Sequence, residues 1–428
     1  MKGFNSRNFL YWLTLLKAGL RVFQRHLIFH FPKILNANAV KEATAILDYL
    51  NAEATDMQTL LKELVFIETP SREPQTQKDI LLRLENEFHK LDYFTFLMPG
   101  KKTGGFLYAR PEKRIKNNPL QLLIGHCDTV WKTNTLEDMP VTTRNDKMSG
   151  PGIYDMKAGL TQVLYALKAI RAKGLEMPMT PVVLINTDEE IGSFESTSTI
   201  RKLARIADRA YVMEPPLGLE GKLKTARKGL GRFTITVHGI AAHAGLDPGK
   251  GVNAIVELSH QVQQLYAMND FDKGITVNVG MIQGGISPNV VAPESKAVID
   301  VRVENEKDGD LITKKIYSLK PTLPNVKLEI EGGIGRPPME RNKRNQELWK
   351  LAQSKALLLG IELSEALAGG GSDGNTTSTF TATLDGLGTP GDGAHAKHEF
   401  IFYDKLPERT ALLTLMLLAE PILLNQDI

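Results

Sequence analysis

The chain of 428 residues predicts an α/β fold: a mixed, mostly parallel sheet flanked by helices, with an α+β segment inserted into it. Two observations carry that reading. Short apolar runs that end in polar residues alternate with segments of helical periodicity. Around Gly229 this gives way to the order strand–helix–strand–strand–helix–strand, the split βαβ arrangement. The composition agrees, since 42% hydrophobic and 24% charged residues suit a globular core. Cys127 is the single cysteine, which excludes an intrachain disulfide and a cysteine zinc cluster. No apolar run approaches the roughly 18 residues that span a bilayer.

The first element stands apart by charge. Residues 1–40 hold Lys2, Arg7, Lys17, Arg21, Arg25 and Lys33 and no acid, so the net +3 of the chain is +6 there and −3 beyond. The near-balanced remainder argues against a dedicated nucleic-acid binder. Phe9, Leu13, Leu16, Leu20, Phe23 and Leu27 recur at helical spacing, with Lys17, Arg21 and Arg25 on another face and Pro32 as a stop. Such a basic amphipathic helix docks on the protein's own surface or on a second subunit, or lies on an anionic membrane. A secretory signal is the third reading. Ala37-Asn38-Ala39 resembles a cleavage site, but Lys17, Arg21 and Arg25 separate it from the apolar run. The expected location is cytoplasmic, peripheral to the membrane if the helix lies on lipid, with export as the alternative.

Helices are expected over 40–64 and 78–91, a buried strand over 120–125, and a helix over 157–173 with Leu160, Val163, Leu164, Leu167 and Ile170 on one face. Buried strands follow at 181–186 and 209–213. The inserted segment has strands at 233–237, 275–282, 296–303 and 326–331 and helices at 252–266 and 308–319. A helix resumes near Asn345, and another covers 405–419. The expected organisation is an extension over 1–40, a main domain of 41–224 and 337–428, and an inserted domain of 225–336.

Five polar clusters stand at or after strand ends, where open α/β sheets collect ligands. They are His126-Cys127-Asp128, Asp155, Asp188-Glu189-Glu190, Glu214, and His395 with Glu399. Singly, each has an ordinary explanation: a hydrogen-bonded histidine, a helix cap, a solvated acidic pair. Together, two histidines and several carboxylates at successive strand ends match the donor set of a di-metal hydrolytic site.

These residues also carry a resemblance. HCDTV, GPGIYDMKAG, TDEEIGS, MEPP and AHAKHE occur in the order and spacing of the zinc metallopeptidase family of glutamate carboxypeptidase (carboxypeptidase G type), aminoacylase, acetylornithine deacetylase and succinyl-diaminopimelate desuccinylase. The resemblance runs over about residues 50–420. It is closest to the glutamate carboxypeptidase type through TDEEIGSFES, AAHAGLDPGKGVNA and GGGSDG. It implies a di-zinc peptidase fold whose inserted α+β domain, ferredoxin-like, forms a homodimer. It implies that His126, Asp155 and Glu214 hold one zinc and that Asp155, Glu190 and His395 hold the other, with cobalt or manganese as alternatives. Glu189 is the implied general base, and Asp128 orients His126. The resemblance also implies that His243 reaches the partner's site to stabilise an oxyanion. By the same resemblance Asn289 and Arg302 are expected to grip a substrate carboxylate, with Arg336 a further candidate that reads equally as a hinge residue. A cis peptide is implied at Asp155–Met156. The implied activity is hydrolysis of an amide beside a free-carboxylate amino acid: release of a C-terminal residue such as glutamate, or deacylation of an N-acyl amino acid.

Two positions depart from the family pattern. His398 stands where a small acidic or amide residue is usual, and rivals His395 as a ligand. Cys127 stands where an apolar residue is usual, and its side chain is expected to pack in the core. Two other functions compete. Gly370-Gly371-Ser372-Asp373-Gly374 fits a serine-hydrolase elbow, with Asp392 and His395 following in order; otherwise Gly370 and Gly371 form a loop that lets backbone approach substrate. A non-catalytic binding protein is the other rival, although every expected ligand position is filled.

Overall fold

The computed structural model describes residues 36–422, so the basic amphipathic helix expected before residue 36 lies outside the described residues. Helices α1 (Ala37–Ala52), α2 (Ala54–Phe66) and α3 (Lys78–His89) come first. Asn36 caps α1 by accepting the Asn38 N–H at 2.9 Å. Strands β1 (Tyr93–Met98) and β2 (Phe106–Pro111) then form an antiparallel hairpin. The sequence pattern hides this hairpin, because Phe94, Phe96 and Met98 are exposed opposite the buried Tyr93. With apolar residues on both faces, the period of two disappears.

Next come β3 (Leu120–His126), α4 (Ala158–Ala172), β4 (Thr180–Asn186), α5 (Thr197–Ile206), β5 (Arg209–Val212) and β6 (Leu223–Arg227). The inserted segment supplies β7 (Gly229–His238), α6 (Ala254–Tyr266), β8 (Thr276–Gly284), β9 (Glu294–Val303), α7 (Glu306–Tyr317) and β10 (Lys327–Arg336). Helix α8 (Lys343–Leu358), β11 (Glu365–Ala368), the short α9 (Asp373–Thr377), β12 (Ala382–Leu384) and α10 (Lys405–Leu417) complete the chain.

The main sheet has the order β1-β2-β4-β3-β5-β12. Strands β4, β3, β5 and β12 are parallel, and at one edge β2 pairs antiparallel with β4 and β1 antiparallel with β2. Helix α4 is buried along most of its length and packs with α10 against this sheet. A buried leucine or isoleucine contributes about 1.5–3 kcal/mol, so the stripe Leu160, Val163, Leu164, Leu167 and Ile170 is a main source of its stability. Helix α4 touches the end of β5 at Gly159, where a Cβ would stand 2.1 Å from the Met213 carbonyl. Only glycine allows that approach, which brings Glu214 beside the Asp155 loop.

The second sheet has the order β8-β9-β7-β10, antiparallel throughout. Phe233, Ile235, Val237, Ile299, Val301, Leu258 and Ile312 form its own core under α6 and α7. The chain enters this sheet after Arg227 and leaves it before Met339, and these two residues exchange backbone hydrogen bonds of 2.9 and 3.0 Å. No helix among the described residues is long and apolar enough to cross a membrane.

Candidate active site

The carboxyl ends of β4, β3 and β5 lie side by side, and each delivers a ligand-type residue. His126 ends β3, Glu189 and Glu190 sit on a 3-10 turn after β4, and Glu214 follows β5. Asp155 comes from the loop before α4, and its bond to Met156 is cis. Its carboxylate stands between two imidazoles. Oδ1 is 3.2 Å from His126 Nε2, and Oδ2 is 3.5 Å from His395 Nε2. Glu214 Oε1 lies 3.4 Å from the same His126 nitrogen, and Glu190 Oε2 lies 3.0 Å from His395 Nε2. One carboxylate is thus shared by two donor sets, each of one imidazole and one further carboxylate.

Backbone and buried side chains hold these groups. His126 Nδ1 donates to the Asp128 carbonyl at 3.0 Å, which leaves Nε2 as the free ligand atom. The Asp128 carboxylate is more distant from the ring, 3.5 Å, and accepts instead from Ser71 Oγ and the N–H groups of Glu189 and Glu190. It therefore fixes the acidic turn as well as the histidine. Glu399 is buried and accepts from four N–H groups: Gly152, Tyr154 and Asp155 of the Asp155 loop, and the Trp131 indole. Gly393 has φ +83°, and a Cβ there would meet the Glu399 backbone at 2.9 Å, so the turn carrying His395 is packed onto the same anchor. Removing one partner of a buried donor costs about 1–3 kcal/mol. Glu399→Ala orphans four such donors and is expected to cost about 3 kcal/mol or more in urea denaturation. A loss below about 1 kcal/mol would show that water replaces the carboxylate.

The charges are far from their usual values. Burial pushes Glu189 up to about 8 and Glu190 up to about 7. Hydrogen bonds with Asp155 and Glu190 push His395 up to about 10. Burial works against a charged His126, but Asp128, Asp155 and Glu214 outweigh it and hold the ring well above its usual range. Burial also opposes ionised Asp155, and the two imidazoles outweigh it and hold the carboxyl well below. Four carboxylates crowd two imidazoles, and ligand atoms of His126, Glu189 and Glu214 lie within 4.8 Å of one another, as do those of His126, Asp155 and Glu190. Such a set of nitrogen and oxygen donors fits divalent cations of the zinc type, whose charge would relieve the crowding.

Glu189 differs from the other acids by its partner. Arg336 Nη1 lies 2.6 Å from its Oε1, and Nη2 donates to its carbonyl at 3.0 Å and to Ser193 Oγ at 2.9 Å. Arg336 thus stands at the acidic cluster, and Gly370 and Gly371 border it through their carbonyls, which accept from Arg227. Arg227 also donates to Glu214 and Asp385, a pairing that no motif marked. His243, Asn289 and Arg302 lie elsewhere. His243 Nδ1 accepts from Gly245 and Leu246, and its loop pairs with the loop of Asn289. Arg302 is engaged by Asp300 on its own strand. Among the described residues, no hydrogen bond or ion pair joins these three to the carboxylate cluster.

The rival features resolve locally. Ser372 donates to Asp385 at 2.6 Å and caps α9 by accepting the Gly374 N–H, with no imidazole on its hydroxyl. That is a structural serine rather than a nucleophile. His395, with φ +61°, and His398 are both exposed, but only His395 takes the cluster contacts, with Asp155 and Glu190. Cys127 is buried in the core, and burial pushes its thiol up.

Comparison with known proteins agrees with this geometry. The sequence profile described as Peptidase family M20/M25/M40 matches residues 122–419. Carboxypeptidase G2 of Pseudomonas sp. is 31% identical over 293 residues, covering 67% of this chain and 71% of that protein. Acetylornithine deacetylase of Erwinia tasmaniensis is 29% identical over 200 residues, covering 42% and 49%. Among solved structures, aminopeptidase PepT from Bacillus cereus superposes with a TM-score of 0.73 at 19% identity, covering 85% of this chain and 98% of its own, which establishes the shared fold.

Proposed function

The chain belongs to peptidase family M20/M25/M40 and is a metal-dependent hydrolase, and from that premise we propose that it is a zinc carboxypeptidase releasing a C-terminal glutamate or similar residue. The Asp155 carboxylate shared between His126 and His395 supports the two-metal centre, and the likeness to carboxypeptidase G2 supports the carboxypeptidase side of the reading. We assign His126, Asp155 and Glu214 to one zinc and Asp155, Glu190 and His395 to the other; cobalt and manganese are the alternatives. Bound there, the metals would polarise the scissile carbonyl and acidify water. Glu189 takes a proton from the attacking water and delivers it to the leaving amine. Asp128 holds His126 and the acidic turn in register for that transfer. Arg336 receives the substrate carboxylate, for which an arginine fork is suited. Arg302 and Asn289, which make no hydrogen bond or ion pair to the cluster within this chain, would join it only through movement of the inserted domain or from the partner subunit, as His243 does. The Gly370–Gly371 loop lets substrate approach the backbone. Residues 41–224 and 337–428 form the catalytic domain in this scheme, and 225–336 a lid and dimerisation domain.

A second reading is deacylation of an N-acyl amino acid, favoured by the likeness to acetylornithine deacetylase. A panel of N-acyl-glutamates, N-acetyl amino acids and dipeptides, run with metal analysis, separates the two. Preference for N-acetyl amino acids over larger acyl-glutamates would replace the carboxypeptidase reading. Chelator-resistant hydrolysis would end both.

We assign His243 to the site of a partner subunit, which makes the enzyme a homodimer. The apolar, exposed residues Met281, Ile282 and Ile286 at the β8 edge support that assembly. Mixing His243→Ala with Glu189→Gln, each inactive alone, is expected to restore activity in the hybrid, which holds one site with Glu189 from one chain and His243 from the other. No recovery in a hybrid shown to form would place His243 outside the site. For residues 1–35 we propose contact with an anionic membrane from the cytoplasmic side. Flotation with anionic vesicles is expected for the full chain and not for a chain starting at residue 36; equal behaviour of the two would sink the idea.

A further inference from the structure

We propose that Arg227 is the positioning residue that ties a metal ligand to the substrate loop at the root of the inserted sheet. The inference rests on the roles proposed above for Glu214 and the Gly370–Gly371 loop. Arg227 is the last residue of β6 and is 3% exposed. A guanidinium has five N–H donors in a rigid fork, and here all five have acceptors. Nε donates to Asp385 Oδ2 at 2.8 Å, and Nη2 donates to Asp385 Oδ1 at 2.9 Å. Nη2 also donates to Glu214 Oε2 at 3.1 Å, and Nη1 to the carbonyls of Gly370 and Gly371, both at 3.1 Å.

The order of these bonds assigns the parts. The bidentate pair with Asp385 sets the plane of the fork, and Ser372 Oγ holds Asp385 Oδ2 at 2.6 Å. With the plane set, Nη2 takes one oxygen of Glu214 and leaves the other, Oε1, facing His126 Nε2 at 3.4 Å. The opposite arm takes the two glycine carbonyls. One planar group therefore orients the carboxylate and the loop together. An apolar plug would fill this space without the cost of burying ions, so the full set of polar contacts points to orientation rather than bulk packing.

The backbone makes the same residue a junction. Arg227 and Met339 exchange hydrogen bonds where the chain enters and leaves the second sheet. The Asn375 amide donates to the carbonyls of Lys228 at 3.0 Å and Pro337 at 2.8 Å, clamping both crossings. A rotation of the inserted sheet about these crossings reaches Glu214 and the glycine loop through one side chain.

Arg227→Lys and Arg227→Met separate the two arms. Lysine keeps a charge near Glu214 but has three donors on one nitrogen and cannot also hold both carbonyls. It is expected to retain both zinc ions in chelator competition while KM for an N-acyl-glutamate rises about 10-fold. Methionine loses both arms. It is expected to weaken one of the two zinc ions by about 10–100-fold, so that at limiting free zinc the chain holds one. Wild-type zinc affinity in the methionine variant together with an unchanged KM in the lysine variant would overturn the proposal. If the methionine variant does not fold, the lysine variant decides by its KM alone. Glu214→Gln run alongside keeps the two levels apart: unchanged zinc uptake there would overturn the ligand assignment itself, and the Arg227 proposal with it.

Discussion

Glu189→Gln is expected to lower kcat by about 10³-fold, within the range that general acid–base groups supply, while zinc content and KM stay near wild type. The amide has the shape of the carboxylate but cannot accept and return a proton. Its surroundings are suited to that task. In the metal-free chain burial pushes the Glu189 carboxyl up to about 8, and Arg336 at 2.6 Å works against that rise; the base has to be ionised at neutral pH, a state that Arg336 and a bound divalent metal would both favour. Geometry alone leaves a second role open, because a Glu189 oxygen also lies within 4.8 Å of ligand atoms of His126 and Glu214. Metal analysis of the variant therefore decides more than kcat does. Two zinc ions with lost turnover supports the base; one zinc ion makes Glu189 a ligand and transfers the proton role elsewhere.

Why one acid of the pair became the base candidate and its neighbour a ligand was legible only by resemblance. Glu189 and Glu190 are adjacent, and no periodicity distinguishes them on an irregular turn. The structure separates them by partner: Arg336 for the first, His395 for the second. The buried parallel strands were legible because β3, β4 and β5 are apolar on both faces and end in polar ligands. The hairpin at the sheet edge was not, since its exposed phenylalanines cancel the alternation. Supporting groups were also invisible. Glu399 gathers N–H groups from a loop some 240 residues earlier in the chain, with separations of 244 to 247. Arg227 meets Asp385 across a separation of 158. Such pairings are set by tertiary packing, and a single sequence carries no local signal for them. Asp128 shows an intermediate case. Its place beside His126 was evident, but its larger share of hydrogen bonds goes to the acidic turn after β4.

Zinc is expected to raise the melting temperature strongly at pH 8 and little at pH 5. In the metal-free chain, Glu189, Glu190 and Glu399 are raised from 4.5 to about 8, 7 and 7, each by burial. A folded state that binds protons more tightly than the unfolded chain is favoured by acid. Their contribution is full below about pH 4.5 and disappears as pH rises through 7 and 8. His395, raised from 6.5 to about 10, adds the same sign, present below 6.5 and lost by 10. Asp155 and Glu214 are lowered and act oppositely, but only below their usual values of 3.8 and 4.5. The metal-free protein therefore loses stability between pH 5 and 8. Metal reverses the trend, because the same atoms must shed protons to bind it. At a free zinc concentration about 1,000 times the dissociation constant, each site adds about 4 kcal/mol. Two sites give about 8 kcal/mol, or roughly 10 °C for a chain of this size at about 2 cal/mol/K per residue. Thermal melts in EDTA and in buffered zinc at pH 5, 6, 7 and 8 measure the difference. A zinc shift that stays flat over that range would mean that the metal is not displacing protons from these residues. Glu399→Gln sharpens the result: Glu399 faces backbone N–H groups rather than the two imidazoles, so its variant is expected to flatten part of the metal-free slope while leaving zinc stoichiometry at two. Glu190→Gln is expected to flatten the slope and lose one zinc, which separates a buried anchor from a ligand in a single series.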